Sequence, residues 1–293
     1  MTVIFDGRAQ AELDLAKLKV RVAALKRPVR ICSFYFGHDQ ASKLYTDKKR
    51  QAAQRVGIEF IAVERRLEEP ISEIQAAIKK VILNNSATGI MVQKPTKKSY
   101  NDYFLSIKEK PSTSYNMWWQ EIVAMIPPER DVDGLSPCTQ EKMKRGEKVV
   151  IWPATVQAVL KCLAGVELAG QRVLIVGKSD LLGWPLYWWG CRHDWLVELV
   201  GKSELERMLE RTEQLQAYSV IVSATGQENL IKGEMIAPGV VLVDVGEPRG
   251  DVEMESCLGK AAMITPVPGG VGPLTVVSLL ENSLICSEFD GEF

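Results

Sequence analysis

Tyr45 and Lys49 stand four positions apart, a spacing that puts a phenol and an amine on one face of a helix. A lysine beside a phenol can have its pKa tuned and serve as proton donor or acceptor. The pair equally fits an ordinary exposed helix face, since Lys43, Lys48 and Arg50 surround it. Gln93 closes the hydrophobic run Gly89–Val92. In an open α/β sheet ligands collect beyond the carboxyl ends of strands, so its carbonyl oxygen could hold a lysine amine there, or face solvent. Asp131 and Asp133 precede Gly134 in a turn-like segment. A carboxylate in such a turn can accept hydrogen bonds from an amino-pyrimidine edge, or close an Asx-turn. The remaining ligands of a calcium loop are missing.

Two segments offer backbone in place of side chains. Thr265–Thr275 crowds three prolines, three glycines and two hydroxyl residues into one stretch between the hydrophobic run Ala261–Ile264 and the apolar helical run Val276–Leu284. Proline fixes φ and glycine permits positive φ and close approach, so the segment reads as a loop against which a flat ligand can lie, or as a rigid connector. Gly177–Pro185 follows a strand and opens a helix. Backbone amides at a helix N-terminus bind phosphate oxygens, and Lys178 could face a phosphate; a plain β–α turn is the alternative. Ser223–Gly226 and Val243–Gly246 each end a hydrophobic strand with small residues, as the lining of a nicotinamide pocket would.

These groups need scaffolding, and the chain supplies it. Residues 9–26 read as an amphipathic helix, with Leu13, Leu15, Leu18, Val20, Val22 and Leu25 among charges. Val29–Phe36, Ile58–Val63 and Gly89–Val92 read as strands, alternating with helices over Ala41–Val56 and Ile71–Leu83. In the first of these Leu44, Ala52 and Ala53 share a stripe, and Gly57 supplies the stop. The alternation predicts a parallel sheet. Lys94–Gln120 breaks the rhythm with lysines and aromatics, among them Tyr100, Tyr103, Trp118 and Trp119. It reads as a surface excursion with some helix: a solvated connection, or a basic, aromatic-lined lid over an anion. A helix over Pro153–Leu163 precedes a second alternation. Its strands are Val173–Val176, Trp195–Val200, Ser219–Ser223 and Val240–Val245, with helices from Pro185 and over Ser203–Arg211. This half looks like a dinucleotide-type α/β domain.

The bulk properties narrow the function. The chain has 293 residues, enough for two domains, with 46% hydrophobic and 25% charged residues and a net charge of -1. No basic field invites nucleic acid, and no apolar run is long enough to span a bilayer. Six scattered cysteines without a CxxC pair, and two isolated histidines, argue against a metal centre. Reduced thiols without a leader segment point to a cytoplasmic protein.

Taken in order, the motifs resemble those of the bifunctional methylenetetrahydrofolate dehydrogenase/methenyltetrahydrofolate cyclohydrolase family, nearly end to end. The resemblance runs through Phe5-Asp6-Gly7, Ala41–Tyr45 with Lys49, Gly89–Gln93, Asp131–Gly134 and Gly177–Pro185. Val243–Gly246, Gly250-Asp251-Val252 and Thr265–Thr275 complete it. YxxxK also occurs in short-chain dehydrogenases, but downstream of the glycine-rich cofactor loop, whereas here it lies far upstream.

The resemblance implies an α/β fold of two domains with the cleft between them: a folate-binding catalytic domain of residues 1–150 plus 272–293, and a Rossmann-like NAD(P)-binding domain of residues 151–271. It implies oxidation of 5,10-methylenetetrahydrofolate to the 5,10-methenyl form with NADP, NAD being possible, and hydrolysis to 10-formyltetrahydrofolate. Lys49 would transfer the proton, Tyr45 pack on the folate, Gln93 hold Lys49, and Asp133 bind the pterin edge. Pro268, Gly269 and Gly270 would line the folate site. Gly177, Lys178, Ser179, Gly183, Lys202 and Ser203 would hold the dinucleotide. Lys178 stands where the family usually has arginine, and Gly201-Lys202 where it has His-Ser. A homodimer is implied. Alternatives are a single-activity cyclohydrolase or dehydrogenase, a non-catalytic folate- or nucleotide-binding paralogue, and an unrelated shikimate-type dehydrogenase of similar architecture.

Overall fold

A computed structural model describes residues 1–108, 110–111, 113–148, 151–209 and 215–289. The chain opens with β1 (Val3–Ile4), α1 (Gly7–Ala23), β2 (Arg30–Phe36), α2 (Gln40–Val56), β3 (Glu59–Arg65), α3 (Ile71–Leu83) and β4 (Gly89–Val92). Four helices follow: α4 (Lys97–Ser106), α5 (Tyr115–Val123), α6 (Pro137–Arg145) and α7 (Ala154–Cys162). Then come β5 (Arg172–Val176), α8 (Gly183–Arg192), β6 (Leu196–Val200), α9 (Lys202–Leu209), β7 (Val220–Ser223), β8 (Val241–Asp244), α10 (Met254–Cys257), β9 (Met263–Ile264) and α11 (Val271–Phe289). The expected helix end at Arg211 and the expected boundary at residue 150 lie outside the described residues. No helix among the described residues is long and apolar enough to cross a membrane.

The chain divides into two compact units, one containing Met1–Leu13, Lys142–Lys148 and Trp152–Ser278, the other containing Asp14–Glu141 and the chain from Leu279. The second unit is built on a parallel sheet of order β3-β2-β4. Its central strand is buried along most of its length, from Ile31 to Phe34. This is the continuous apolar pattern of a strand covered on both faces.

Helix α2 of that unit has a readable start and stop. Asp39 accepts hydrogen bonds from Ala41 N–H at 3.1 Å and from Ser42 Oγ at 2.9 Å. Gly57 ends the helix with φ +84°, a left-handed conformation that glycine adopts without strain. The buried stripe differs from the expected one. It keeps the expected Ala52 and Ala53 and runs through Ser42, Thr46, Lys49 and Val56, while Leu44 is 53% exposed. Helical periodicity thus places a lysine in the face that packs inward.

The described residues of the Lys94–Gln120 excursion are not a solvated connection. They fold into α4 and α5, capped by Thr96 and Ser114, and bury Tyr100, Trp118 and Trp119. Phe36 of β2 lies 4.9 Å from Trp118, centroid to centroid, and Tyr100 lies 5.1 Å from it. Their large apolar surfaces are worth more inside than in water.

The first unit carries a six-stranded parallel sheet, order β6-β5-β7-β8-β9-β1. Strand β1 has no counterpart in the sequence reading: two residues long, it shows no periodicity, and only pairing of Val3 with Met263 makes it a strand. Strand β9 is shorter than the expected run from Ala261. Helix α11 begins inside the expected loop, so the loop proper is Thr265–Gly270. Pro273 sits in the first turn of α11, where a missing N–H breaks no bond. Leu174, Val176, Ile221, Leu242 and Ile264 form a core on one side of this sheet.

Asp251 ties the carboxyl ends of β7 and β8 together. Its Oδ2 accepts from Ser223 Oγ at 2.6 Å, Thr225 N–H at 2.7 Å and Thr225 Oγ1 at 2.9 Å. Its own N–H donates to Asp244 Oδ1 at 3.0 Å. Replacing Asp251 with alanine leaves these buried donors unmet, so Asp251→Ala is expected to destabilise the fold by about 3 kcal/mol or more, read as a lowered urea midpoint. Ser223→Ala, which removes a single donor, should cost clearly less.

Candidate functional site

Lys49 comes to its position because α2 packs its stripe against β2 and β3 of the smaller sheet, from which the Lys49 side chain reaches Met91 of β4. The residue is 7% exposed, and its Nζ donates to Gln93 Oε1 at 2.8 Å. Met91 Sδ lies 4.0 Å away. Gln93 is fixed by its own backbone, whose N–H bonds Phe34 O at 2.7 Å just past the end of β4. The sequence places these two residues 44 positions apart. Parallel pairing of β4 with β2 brings them into contact.

The segment from Asp131 is also drawn to β4. Asp131 bridges Ile90 in parallel register, and Val132 N–H bonds Ile90 O at 3.3 Å. Asn282 Nδ2 donates to Val132 O at 2.8 Å. A Cβ on Gly89 would fall 2.3 Å from Val132 Cγ1, so only glycine permits this approach.

The two aspartates then have different duties. Asp131 accepts from Ser136 N–H at 2.7 Å, Leu135 N–H at 3.2 Å and Thr139 Oγ1 at 3.1 Å. It shapes the turn, as an Asx-type residue does. Burial pushes its pKa up to about 6, against the pull of those donors. Asp133, 8% exposed, is the carboxylate close enough to act on Lys49.

Burial is the larger influence on the Lys49 amine, favouring its neutral form and lowering its pKa; Asp133 works the other way. Tyr45 is half-buried, with Lys48 Nζ 5.2 Å from its ring centroid. The unit therefore holds together a buried amine of lowered basicity, an amide oxygen that orients it, a nearby carboxylate and a phenol on the same helix. That set can take a proton from water or return one to a leaving nitrogen.

The six-stranded unit holds the other expected residues. Successive strands are added outward on one side of β5 as β6 and on the other as β7, so the strand order reverses at β5. Ligands of doubly wound sheets bind beyond the strand ends at such a point. Gly177 stands there with φ +116°, and a Cβ on it would fall 2.5 Å from Ala224 O. Gly183 is buried, and its Cβ would meet Gly177 O at 1.8 Å. Ser179 Oγ accepts from Leu182 N–H at 3.2 Å and Gly183 N–H at 3.4 Å, turning the loop into α8. Lys178, Lys202 and Ser203 all lie just past the ends of β5 and β6.

In the Thr265–Gly270 loop, Pro268 is exposed and Gly270 is buried. Gly270 is covered by Gly7, whose Cβ would lie 1.8 Å from Gly270 O. Phe5 N–H donates to Ile264 O at 2.9 Å, so Phe5-Asp6-Gly7 is knitted to this loop. Gly269 has φ +115°.

Comparison with known proteins settles the family. Residues 5–133 match the model of the tetrahydrofolate dehydrogenase/cyclohydrolase catalytic domain, and residues 153–290 that of the tetrahydrofolate dehydrogenase/cyclohydrolase NAD(P)-binding domain. The chain belongs to the tetrahydrofolate dehydrogenase/cyclohydrolase family. It is 31% identical over 298 residues to the bifunctional protein FolD of Leuconostoc citreum, covering 98% of this chain and 99% of that one. It is 34% identical over 305 residues to FolD of Methanosarcina barkeri, covering 97% and 96%. Among solved structures, a 5,10-methylenetetrahydrofolate dehydrogenase from the silkworm Bombyx mori aligns with TM-score 0.86 and 28% identity, over 100% of both chains. The Trypanosoma brucei methylenetetrahydrofolate dehydrogenase-cyclohydrolase, complexed with NADP and an inhibitor, aligns with TM-score 0.85 and 29% identity, over 99% of this chain and 98% of that one.

Two residues of this family member escaped the sequence reading of the site. Asp251 was visible only as part of Gly250-Asp251-Val252, and nothing local marks its reach to Ser223 and Thr225. Glu204 carried no signal of its own, and its partner, Lys178, is 26 positions away.

The Lys49 environment makes a stability prediction. Unfolded, the amine keeps its proton up to the ordinary lysine range; buried, it releases it at lower pH. Between those two values the unfolded chain binds more protons, so stability rises with pH across that window. Lys49→Met should flatten that rise without loss of stability at neutral pH, as urea unfolding of both proteins across the pH range would show.

Proposed function

We propose that this chain is an NAD(P)-dependent methylenetetrahydrofolate dehydrogenase and methenyltetrahydrofolate cyclohydrolase. It oxidises 5,10-methylenetetrahydrofolate to the 5,10-methenyl form and hydrolyses that to 10-formyltetrahydrofolate. The observation that carries the reading is the buried Lys49 amine hydrogen-bonded to Gln93, in a chain matching both family domains.

Lys49 is the proton-transfer residue. Burial favours the amine with a lone pair to offer, and Gln93 orients it by accepting one of its hydrogens. The amine takes a proton from water as the oxygen adds to the methenyl carbon and returns it to the ring nitrogen that leaves, while the second proton of the added oxygen goes to solvent as the formyl carbonyl forms. Asp133 binds the pterin edge through its carboxylate, and Tyr45 packs its ring against the folate. Pro268, Gly269 and Gly270 offer main chain to the same class of ligand.

NADP is the cofactor, and its nicotinamide, when bound, accepts the hydride. The residues at the strand ends fit such a group. Gly177 and Gly183 keep bare backbone at the reversal of strand order, Ser179 shapes the turn into α8, and Lys178, Lys202 and Ser203 supply cations and a hydroxyl. Asp251 keeps the loops after β7 and β8 in place.

Two assays, reduction of NADP with 5,10-methylenetetrahydrofolate and hydrolysis of the methenyl compound, run on wild type and Lys49→Met, decide the reading. Lys49→Met is expected to lower hydrolysis of the methenyl compound by about 100-fold or more, the scale of a lost general base. NADP binding should be unchanged. Equal turnover of wild type and variant would remove Lys49 from the mechanism, and a wild type inactive in both assays would remove the enzymatic reading.

The homodimer is supported by the edge strand β6, which has β5 as its neighbour on one side and carries Leu196 at 59% exposure. An open strand edge with an exposed apolar residue is suited to pairing with another chain. Leu196→Lys is expected to shift the sedimenting species from dimer toward monomer.

A further inference from the structure

Lys178 is the cation that the dinucleotide reading turns toward the cofactor, yet it has a partner of its own. Its Nζ lies 2.5 Å from Glu204 Oε1. The other oxygen, Oε2, accepts the Gly201 N–H at 3.0 Å. Lys178 leaves the sheet after β5, and Glu204 lies in the first turn of α9, just after β6. The two strands pair in parallel with Val176 level with Val200, and Gly177 N–H donates to Val200 O at 2.9 Å. Gly201 makes room for the pair. A Cβ there would fall 2.8 Å from Glu204 Oε2 and 3.5 Å from Lys178 Cδ. Lys202, next in the chain, lies 3.9 Å from Glu206.

In doubly wound sheets an acid some twenty residues past the glycine loop hydrogen-bonds the ribose 2′-hydroxyl, while a nearby cation accommodates a 2′-phosphate. This corner holds one group of each kind, joined to each other. We propose that Glu204 is a specificity-determining residue that sets how far the chain prefers a 2′-phosphorylated dinucleotide over its unphosphorylated counterpart. The proposal rests on the dinucleotide reading above. A phosphate arriving at Lys178 must draw the cation from Glu204 and lie near a like charge. A ribose hydroxyl meets no such opposition and can donate to the carboxylate. Glu204 therefore tempers the preference for NADP without touching the rest of the dinucleotide. The side chains are 35% and 41% exposed, so salt weakens the effect.

Direct binding tests this without turnover. Quenching of tryptophan fluorescence (Trp184, at the start of α8, is 40% exposed) gives dissociation constants for NADP, NAD, 2′,5′-ADP and 5′-AMP. Wild type, Glu204→Gln and Lys178→Met are compared. Glutamine keeps an oxygen for the Gly201 N–H and removes only the charge. Glu204→Gln is expected to raise the NADP-to-NAD affinity ratio by about tenfold at low salt, with the same trend for 2′,5′-ADP over 5′-AMP. Lys178→Met should lower that ratio, and added salt should shrink both differences. An unchanged ratio in folded Glu204→Gln overturns the proposal and leaves Glu204 as a helix-end cap. Should that variant not fold, an unchanged ratio in Lys178→Met overturns it. A wild type that binds none of the four nucleotides overturns the dinucleotide reading, and the proposal with it.

Discussion

Burying a lysine in the inward face of α2 is the constraint around which the catalytic unit is organised. An isolated ammonium is costly to remove from water unless it is paired or neutralised. Lys49 is given two answers at once: an amide oxygen at 2.8 Å and a carboxylate whose charge opposes the effect of burial. Each requires a structural commitment. Gln93 is useful only because it emerges directly from the end of β4. Asp133 reaches the neighbourhood because its segment is zipped onto β4 at Ile90, against the bare backbone of Gly89. Even the aromatic packing of Phe36, Tyr100 and Trp118 serves this end, because it anchors the chain that leaves Gln93.

The six-stranded unit solves a different problem. Its functional segments are loops at strand ends, where backbone must stay bare yet ordered. Glycine gives bareness without order. Order comes from buried polar contacts: Asp251 on Ser223 and Thr225, Asp244 on Gly246 N–H at 2.9 Å, and Thr265 Oγ1 accepting Asp244 N–H at 2.7 Å. Gly7 against Gly270 adds a main-chain contact that any side chain would prevent. Satisfied networks of this kind rigidify because an unpaired buried group is so unfavourable.

The ends of β5 and β6 show how selectivity can be adjusted beside such rigid loops. Lysine brings a point charge where a guanidinium would bring a fixed fork. A point charge is readily shared with a neighbouring carboxylate, and Glu204 takes that share. The glycines proposed to admit the dinucleotide and the acid proposed to moderate its phosphate are thus separate parts of one corner.

Much of this was legible in one dimension. The βα alternation, the glycine stop of α2, the ordered motifs and the glycine-rich loops identify both the fold class and the family, because local propensity and backbone freedom are written in residue type. Strand β1 was not legible, since a two-residue strand carries no period and forms only by pairing with β9, which was read as the longer run from Ala261. Trp118 and Trp119 read as surface because lysines precede them, and packing on β2 reversed that. Leu44 looked inward and is exposed, while Lys49 looked exposed and is buried: composition names hydrophobic residues, but helix phase decides which face is covered. The contact of Lys178 with Glu204 came only from tertiary structure, and that of Lys49 with Gln93 was implied by the resemblance and by no local signal. The register between parallel strands sets which distant residues emerge side by side, and no local signal encodes that register.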